Sequence, residues 1–377
     1  MKIGDRNKKI GILTFHRKSN YGAVLQAFAL YTAIKRLGFE PIILNRSSHF
    51  FDKVKDFGVV EAARKTVSLW IRDLLFAREF SRFRRCMLPN TTSFLFGTRS
   101  LSKASKNLDA VVVGSDQVWR LSYARNLIRS YFLDFVPENV KRISYAASFG
   151  IDYFEGDSDC VDQLGKLLKK FDAVSVREDV GTRICMEKFG VRANHVLDPT
   201  FLLEEKVYVD LAKDCTTPEQ PYIAQFFLDD SNFKREVGSR IKSVTKANGI
   251  AILNPKDRFS LRKVFSRGRS YNYPSIETWL SGISNSSFVV TDSFHGVVFS
   301  IIFKKQFVCI LNDERGNTRI ESLLDMLGIR GNTIDKSISK VEDFTPIEID
   351  YKEVWSILDK QREASLVFLK NALNKYL

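Results

Sequence analysis

Short apolar runs, each followed by a polar loop and then a helical repeat, recur along the chain. Lys9–Phe15 (KIGILTF) has the composition of a buried strand. The polar loop His16–Tyr21 follows. Val24, Ala27, Phe28 and Tyr31 then recur at i, i+3, i+4 and i+7, which predicts a helix that stops near Gly38. Pro41–Asn45 (PIILN) is the next strand. A strand, a helix and a second strand in this order open a parallel, doubly wound sheet.

The same alternation predicts strands at Asp109–Gly114, Arg142–Ala147 and Asp172–Val176, a helix near 160–170, and a short helix ending at Gly190. It resumes with strands at Tyr222–Leu228, Ile250–Leu253, Phe288–Thr291 and Phe307–Leu311. Helices are predicted around 231–247, after Pro274-Ser275, over Val297–Phe303, from Arg319 to Leu327, and over roughly 351–376. The predicted fold class is α/β, with two doubly wound Rossmann-like domains facing a cleft. Residues 1–203 form the first, with a helical insert at about 50–105, and a polar linker covers 204–220. Residues 221–345 form the second, and a helix at 350–377 packs back on the first.

Composition narrows the function classes. The chain of 377 residues is 44% hydrophobic, with 30 Phe, enough for two cores. No apolar run reaches the roughly 18 residues of a membrane span, and the start MKIGDRNKKIGILTF lacks an apolar leader, so a cytoplasmic location is expected. Cys86, Cys160, Cys185, Cys215 and Cys309 are scattered and odd in number, which argues against a disulfide framework and against zinc. The net charge of +14 suits acidic or phosphorylated partners and an anionic membrane surface. No nucleic-acid-binding signature accompanies it. The insert ends with Arg82, Arg84 and Arg85 beside Phe80 and Phe83, a mix suited either to peripheral contact with an anionic membrane or to a solvated helix over the sheet. Residues 256–270 form a strongly basic stretch, read as a surface loop.

The densest chemistry lies in Val289–Gly296 (VVTDSFHG), where polar groups sit between a strand and a helix. Asp292 and Ser293 are natural N-caps, and His295 falls at the helix start. That edge of an α/β sheet is where ligands bind, and a helix N-terminus offers N–H groups to an anion. An imidazole there can donate a proton or simply bind a loop.

The segments 11–39 (GILTFHRKSNYGAVLQAFALYTAIKRLGF), 109–119 (DAVVVGSDQVW), 142–150 (RISYAASFG), 172–181 (DAVSVREDVG), 196–203 (VLDPTFLL), 289–310 and 317–328 together resemble the polysaccharide pyruvyl transferase family. The resemblance implies a GT-B-like fold and phosphoenolpyruvate as donor. It also implies transfer of a pyruvate ketal group to a sugar of a surface glycan or its lipid-linked precursor, with no nucleotide or metal cofactor. His295 matches the family's active-site His. Arg177 matches its strand-end Arg, expected to grip the donor. This chain carries Ser293 where better-known members have an Arg two residues before the His, so Arg319, Lys304, Lys305 or a lysine of 256–270 is expected to supply the missing cation.

Asp292 is expected to orient His295 or to cap the helix, with Ser293 and Gly296 beside the donor. Asn20, Tyr21, Gly22, Ser115 and Gln117 are assigned to the acceptor, with Asp116 as its base and Trp119 or Tyr123 stacking on a sugar ring. Asp198, in the VLDP turn, is read as structural. Two other readings stay open. One is a GT-B glycosyltransferase using a nucleotide sugar, with Glu277 or Glu321 holding the ribose. The other is a non-catalytic module for acidic glycan or membrane.

Overall fold

The computed structural model describes residues 7–17, 19–47, 78–216, 221–229, 231–253, 274–312, 316–338 and 340–374. They divide into two compact units. The first takes in described residues up to 47, Arg84–Leu203 and those from Asp359 onward; the second takes in 78–83 and Glu204–Leu358. The basic stretch 256–270 and most of the insert lie outside the described residues.

The first unit is built on a parallel sheet of β1 (Lys9–Leu13), β2 (Glu40–Ile43), β3 (Ala110–Val113) and β4 (Lys141–Ser144), in the order β2-β1-β3-β4. Ile12 stands opposite Ile43 on one side and Val112 on the other. Single bridges continue the sheet from β4 to the segment 173–176, whose strand Ser175–Val176 pairs with Asn194–His195. Helix α1 (Tyr21–Arg36) connects β1 to β2, and α2 (Asp179–Phe189) ends on Gly190 in the left-handed conformation that glycine tolerates. Val111, Val113, Phe132, Phe149 and Phe189 form the core. The last part of the C-terminal helix Tyr351–Asn374 belongs to this unit: Ser365 accepts from the Leu197 N–H at 3.0 Å, and Phe368 meets Tyr145.

The second unit holds β5 (Tyr222–Phe226), β6 (Gly249–Ile252), β7 (Phe288–Thr291), β8 (Phe307–Ile310) and β9 (Thr333–Ile334) in the parallel order β6-β5-β7-β8-β9. Its helices include α3 (Asn232–Thr245), α4 (Phe294–Ile302) and α5 (Thr318–Met326). All four residues of β7 are buried, which is why the strand reads as an unbroken apolar run ending in a hydroxyl. That hydroxyl, Thr291 Oγ1, donates to the Phe226 carbonyl at 2.7 Å and so pays for its own burial.

The chain is therefore α/β, and each unit is a parallel, Rossmann-like sheet. Each sheet also reverses its strand order once, between β1 and β3 and between β5 and β7. The stretch expected to be a linker is different: it carries the helix Glu205–Ala212, anchored by fully buried Tyr208, whose ring packs edge-on to Phe299.

Candidate functional site

The C-terminal edge of β7 lies at the order reversal of the second sheet, where ligands of doubly wound sheets bind. Helix α4 starts at Phe294, directly after the candidate cap Ser293, and brings His295 into its first turn. Ser293 is the cap residue by backbone conformation, and no side-chain hydrogen bond caps the helix. The Ser293 N–H instead donates to Thr291 Oγ1 at 3.1 Å. Gly296 sits so close to Thr291 that a Cβ there would lie 2.1 Å from Oγ1. The turn is thus folded tightly back on its own strand.

Phe294 is a shared neighbour of two candidate side chains, His295 and Arg319. His295 meets its ring at 5.2 Å in an edge arrangement, and the Arg319 guanidinium lies 5.8 Å from its centroid. Both His295 and Arg319 are buried. Arg319 comes from the first turn of α5. The other two cations expected to replace the missing Arg are elsewhere. Lys304 and Lys305 follow the C-terminal end of α4, a helix of nine residues, so they stand roughly 13 Å along its axis from His295. Lys304 pairs with Glu205 at 3.7 Å and lies over the Trp355 ring.

Asp292 spends its oxygens on the loop after β5 and on α3. Oδ1 accepts from the Leu228 N–H at 2.7 Å, and Oδ2 from Lys234 Nζ at 2.5 Å. Lys234 also bonds Asp229. Two carboxylates therefore share one ammonium at the reversal point. Burial works against the charge of Lys234, but the bonds to Asp229 and Asp292 outweigh it and raise its pKa. Burial pushes the Asp292 carboxyl up, against the pull of Lys234 and the Leu228 N–H. The expected cap or His-orienting role of Asp292 is replaced by this pairing. Lys234 was not legible as a site residue, although a cation in a helix's first turn opposes the helix dipole and so signals nearby carboxylates.

In the first unit, the loops after β1 and β3 are tied together at the other reversal point. Thr14 Oγ1 donates to the Ser115 carbonyl at 2.5 Å, and Gln26 Nε2 donates to Thr14 Oγ1 at 3.0 Å. Asn20 accepts from the Ala23 N–H at 3.0 Å as the N-cap of α1, while Tyr21 and Gly22 are buried in its first turn. Asp116 has a φ of +83°, a conformation Asp adopts more readily than most residues. Its carboxylate accepts from the Gln117 N–H at 2.8 Å, and its carbonyl accepts from the Ser148 N–H at 3.1 Å. Gln117 accepts from Arg120 at 2.9 Å.

His16, in the predicted polar loop, is buried with Nδ1 3.0 Å from the Thr14 carbonyl. Burial, helped by Arg84 and Arg17 and opposed by the Thr14 and Asn45 hydrogen bonds, lowers its pKa to about 4. A His directly after a central strand was the available signal.

Arg177 and Trp119 have other duties than those expected. Arg177 Nη1 contacts Asp198 Oδ2 at 2.8 Å and Ser115 Oγ at 3.1 Å, and Ser115 Oγ donates to the same carboxylate oxygen at 2.8 Å. Asp198 Oδ1 takes the N–H and hydroxyl of Thr200. The Trp119 ring is fully buried against Phe132 and Phe149, with Nε1 donating to the Tyr131 carbonyl, so it has no face on which a sugar could stack.

Phe80 and Phe83 of the helix Arg78–Met87 are also buried, which removes the apolar half of the expected membrane contact. Glu277 pairs with Arg82, and Glu321 with Arg330, so both candidate ribose carboxylates are already engaged. No helix of the described residues is long and apolar enough to cross a membrane. Among the same residues, no group of three or more His, Cys, Asp or Glu side chains is placed to hold a metal ion.

The sequence profile of the family described as polysaccharide pyruvyl transferase matches residues 20–314, a span that includes both reversal points from α1 onward. The chain belongs to this family of transferases acting on polysaccharide. No curated protein sequence matches it. Among solved structures it is similar to the Methanocaldococcus jannaschii UDP-GlcNAc 2-epimerase (11% identity, TM-score 0.45, 94% of this chain and 92% of that one). It is also similar to MnaA of S. aureus (12%, TM-score 0.46, 97% and 91%) and to the calicheamicin glycosyltransferase CalG4 (13%, TM-score 0.47, 99% and 98%).

Proposed function

We propose that the protein moves a pyruvate ketal group from phosphoenolpyruvate onto a sugar of a surface polysaccharide or its lipid-linked precursor. The observation that carries this reading is the pairing of His295 and Arg319 about Phe294, in the first turn of α4, within a chain of this family. Phosphoenolpyruvate brings a carboxylate and a phosphate, and a guanidinium beside a helix N-terminus answers both. His295 gives a proton to the methylene carbon, and C2 becomes electrophilic. One sugar hydroxyl adds to C2 as its proton returns to His295, phosphate leaves with the C–O electron pair, and a second hydroxyl adds to C2 and closes the ketal, its proton passing to the departing phosphate. Arg319 takes the place of the cation missing at Ser293. Asp292 and Lys234 hold the β7 turn in register, and Arg177 organises the loop at Ser115 instead of gripping the donor. Acceptor recognition is assigned to the loops of the first unit.

Isothermal titration with phosphoenolpyruvate, UDP and GDP tests the donor on the wild type, His295→Ala and Arg319→Met. The expected result is binding of phosphoenolpyruvate alone, weakened in both variants. Binding of a nucleotide without phosphoenolpyruvate would overturn the reading in favour of a nucleotide-sugar transferase.

A further inference from the structure

The first unit carries an open hollow of about 730 Å³, lined by Ser122, Arg125, Asn126, Arg129, Tyr153 and Glu155 among others. Its size lies within the roughly 300–1,000 Å³ of ligand sites. We propose that it is a saccharide subsite, taking a sugar residue of the acceptor chain; the proposal rests on the acceptor being a glycan.

Three observations point there. The first is position. Arg120 donates to Gln117, in the loop at the reversal of the first sheet, and pairs with Glu155 at 3.6 Å. Glu155 in turn accepts from the Ser122 N–H at 2.7 Å and the Ser122 hydroxyl at 2.9 Å. One continuous set of polar contacts thus joins the Gln117 loop to the wall of the hollow.

The second is chemistry. Tyr153 is 59% exposed, an amphipathic ring left facing solvent at the edge of a polar hollow. Around it stand a hydroxyl, a carboxamide, a carboxylate and two guanidinium groups. Arg129 is itself occupied with Asp134 and Gln163, and Arg120 lies 4.6 Å from the Tyr123 ring. Donors and acceptors of both signs beside an aromatic face suit the hydroxyls and the apolar C–H face of a pyranose. A phosphate site would instead need an excess of unengaged cations.

The third is construction. Two short helices, Leu121–Ala124 and Ile128–Tyr131, are broken at Arg125, where φ is +49°. An ordinary residue is held there in a costly conformation, and such positions recur where a binding surface is shaped.

Saturation-transfer NMR on the full chain with cellotetraose, chitotetraose and galactotetraose tests the proposal. At least one should bind the wild type, with affinity falling about tenfold in Tyr153→Ala and in Asn126→Ala. Both variants should keep the wild-type melting temperature. His295→Ala should bind the tetrasaccharide unchanged, which separates this site from the donor reading. Failure of all three sugars to bind, or undiminished binding by both hollow variants, would overturn the subsite. Failure of the wild type to bind phosphoenolpyruvate, with tetrasaccharide binding intact, would instead count against the donor assignment alone.

Discussion

Arg177 and Asp198 face each other at 2.8 Å with side chains 1% and 0% exposed, 21 residues apart in sequence. Removing one partner of such a pair leaves a buried charge without its counter-ion. Asp198→Ala should therefore cost about 3–5 kcal/mol. The double variant Arg177→Met, Asp198→Leu should recover a large part of it. Calorimetric unfolding of the three proteins checks this, and a double variant no better than the single one would contradict it.

His16 gives the protein a pH-dependent stability. Its folded pKa of about 4 lies below the ordinary 6.5, so the folded state resists protonation and the unfolded state does not. Its contribution is complete above pH 6.5, is lost as pH falls toward 4, and levels off below that, on the order of 3 kcal/mol in all. His16→Gln should flatten the stability profile between pH 6.5 and 4 relative to wild type. A parallel profile in the variant would show that other groups carry the acid sensitivity.

Gly296→Ala should destabilise the protein by about 1–3 kcal/mol, because the new methyl meets Thr291 Oγ1 at 2.1 Å and Cβ at 2.8 Å. Gly249→Ala, which meets nothing within 4 Å, is the control and should be close to neutral. Melting temperatures of the pair decide the matter. Under the proposed function the Gly296 variant should also lose donor affinity, since relief of the clash moves the turn that bears His295.

Lys234→Met removes the main groups that hold the Asp292 carboxyl down, leaving burial and Asp229 to push it further up. The Asp292 carboxyl carbon, followed by NMR against pH, should titrate at higher pH than in the wild type. An unchanged titration would mean that the Leu228 N–H, not Lys234, sets the ionisation of this group.

Much of the fold was readable because its signals are local. Val24, Ala27, Phe28 and Tyr31 sit on one helical repeat and are all buried, and the run at β7 is buried on both faces. His295 was readable for the same reason, as a polar interruption between a strand and a helix. The partners of Asp292 and Arg177 were not. Lys234 lies 58 positions from Asp292, and an acid 21 positions from Arg177 is not distinguished in sequence from adjacent Glu178, whose carboxylate turns instead to Ser148, Phe149 and Gly150. Trp119 was misread because an indole in a polar loop looks available until Phe132 and Phe149 are seen to enclose it.

The Ser365 and Phe368 contacts with Leu197 and Tyr145 bear on how the protein is made. Domains generally fold as units while the chain emerges, the N-terminal one first. Here the first unit lacks its closing element until all of the second has been synthesised. The nascent sheet β1–β4 must wait, with the surface around Tyr145 uncovered, until the segment bearing Ser365 and Phe368 leaves the ribosome.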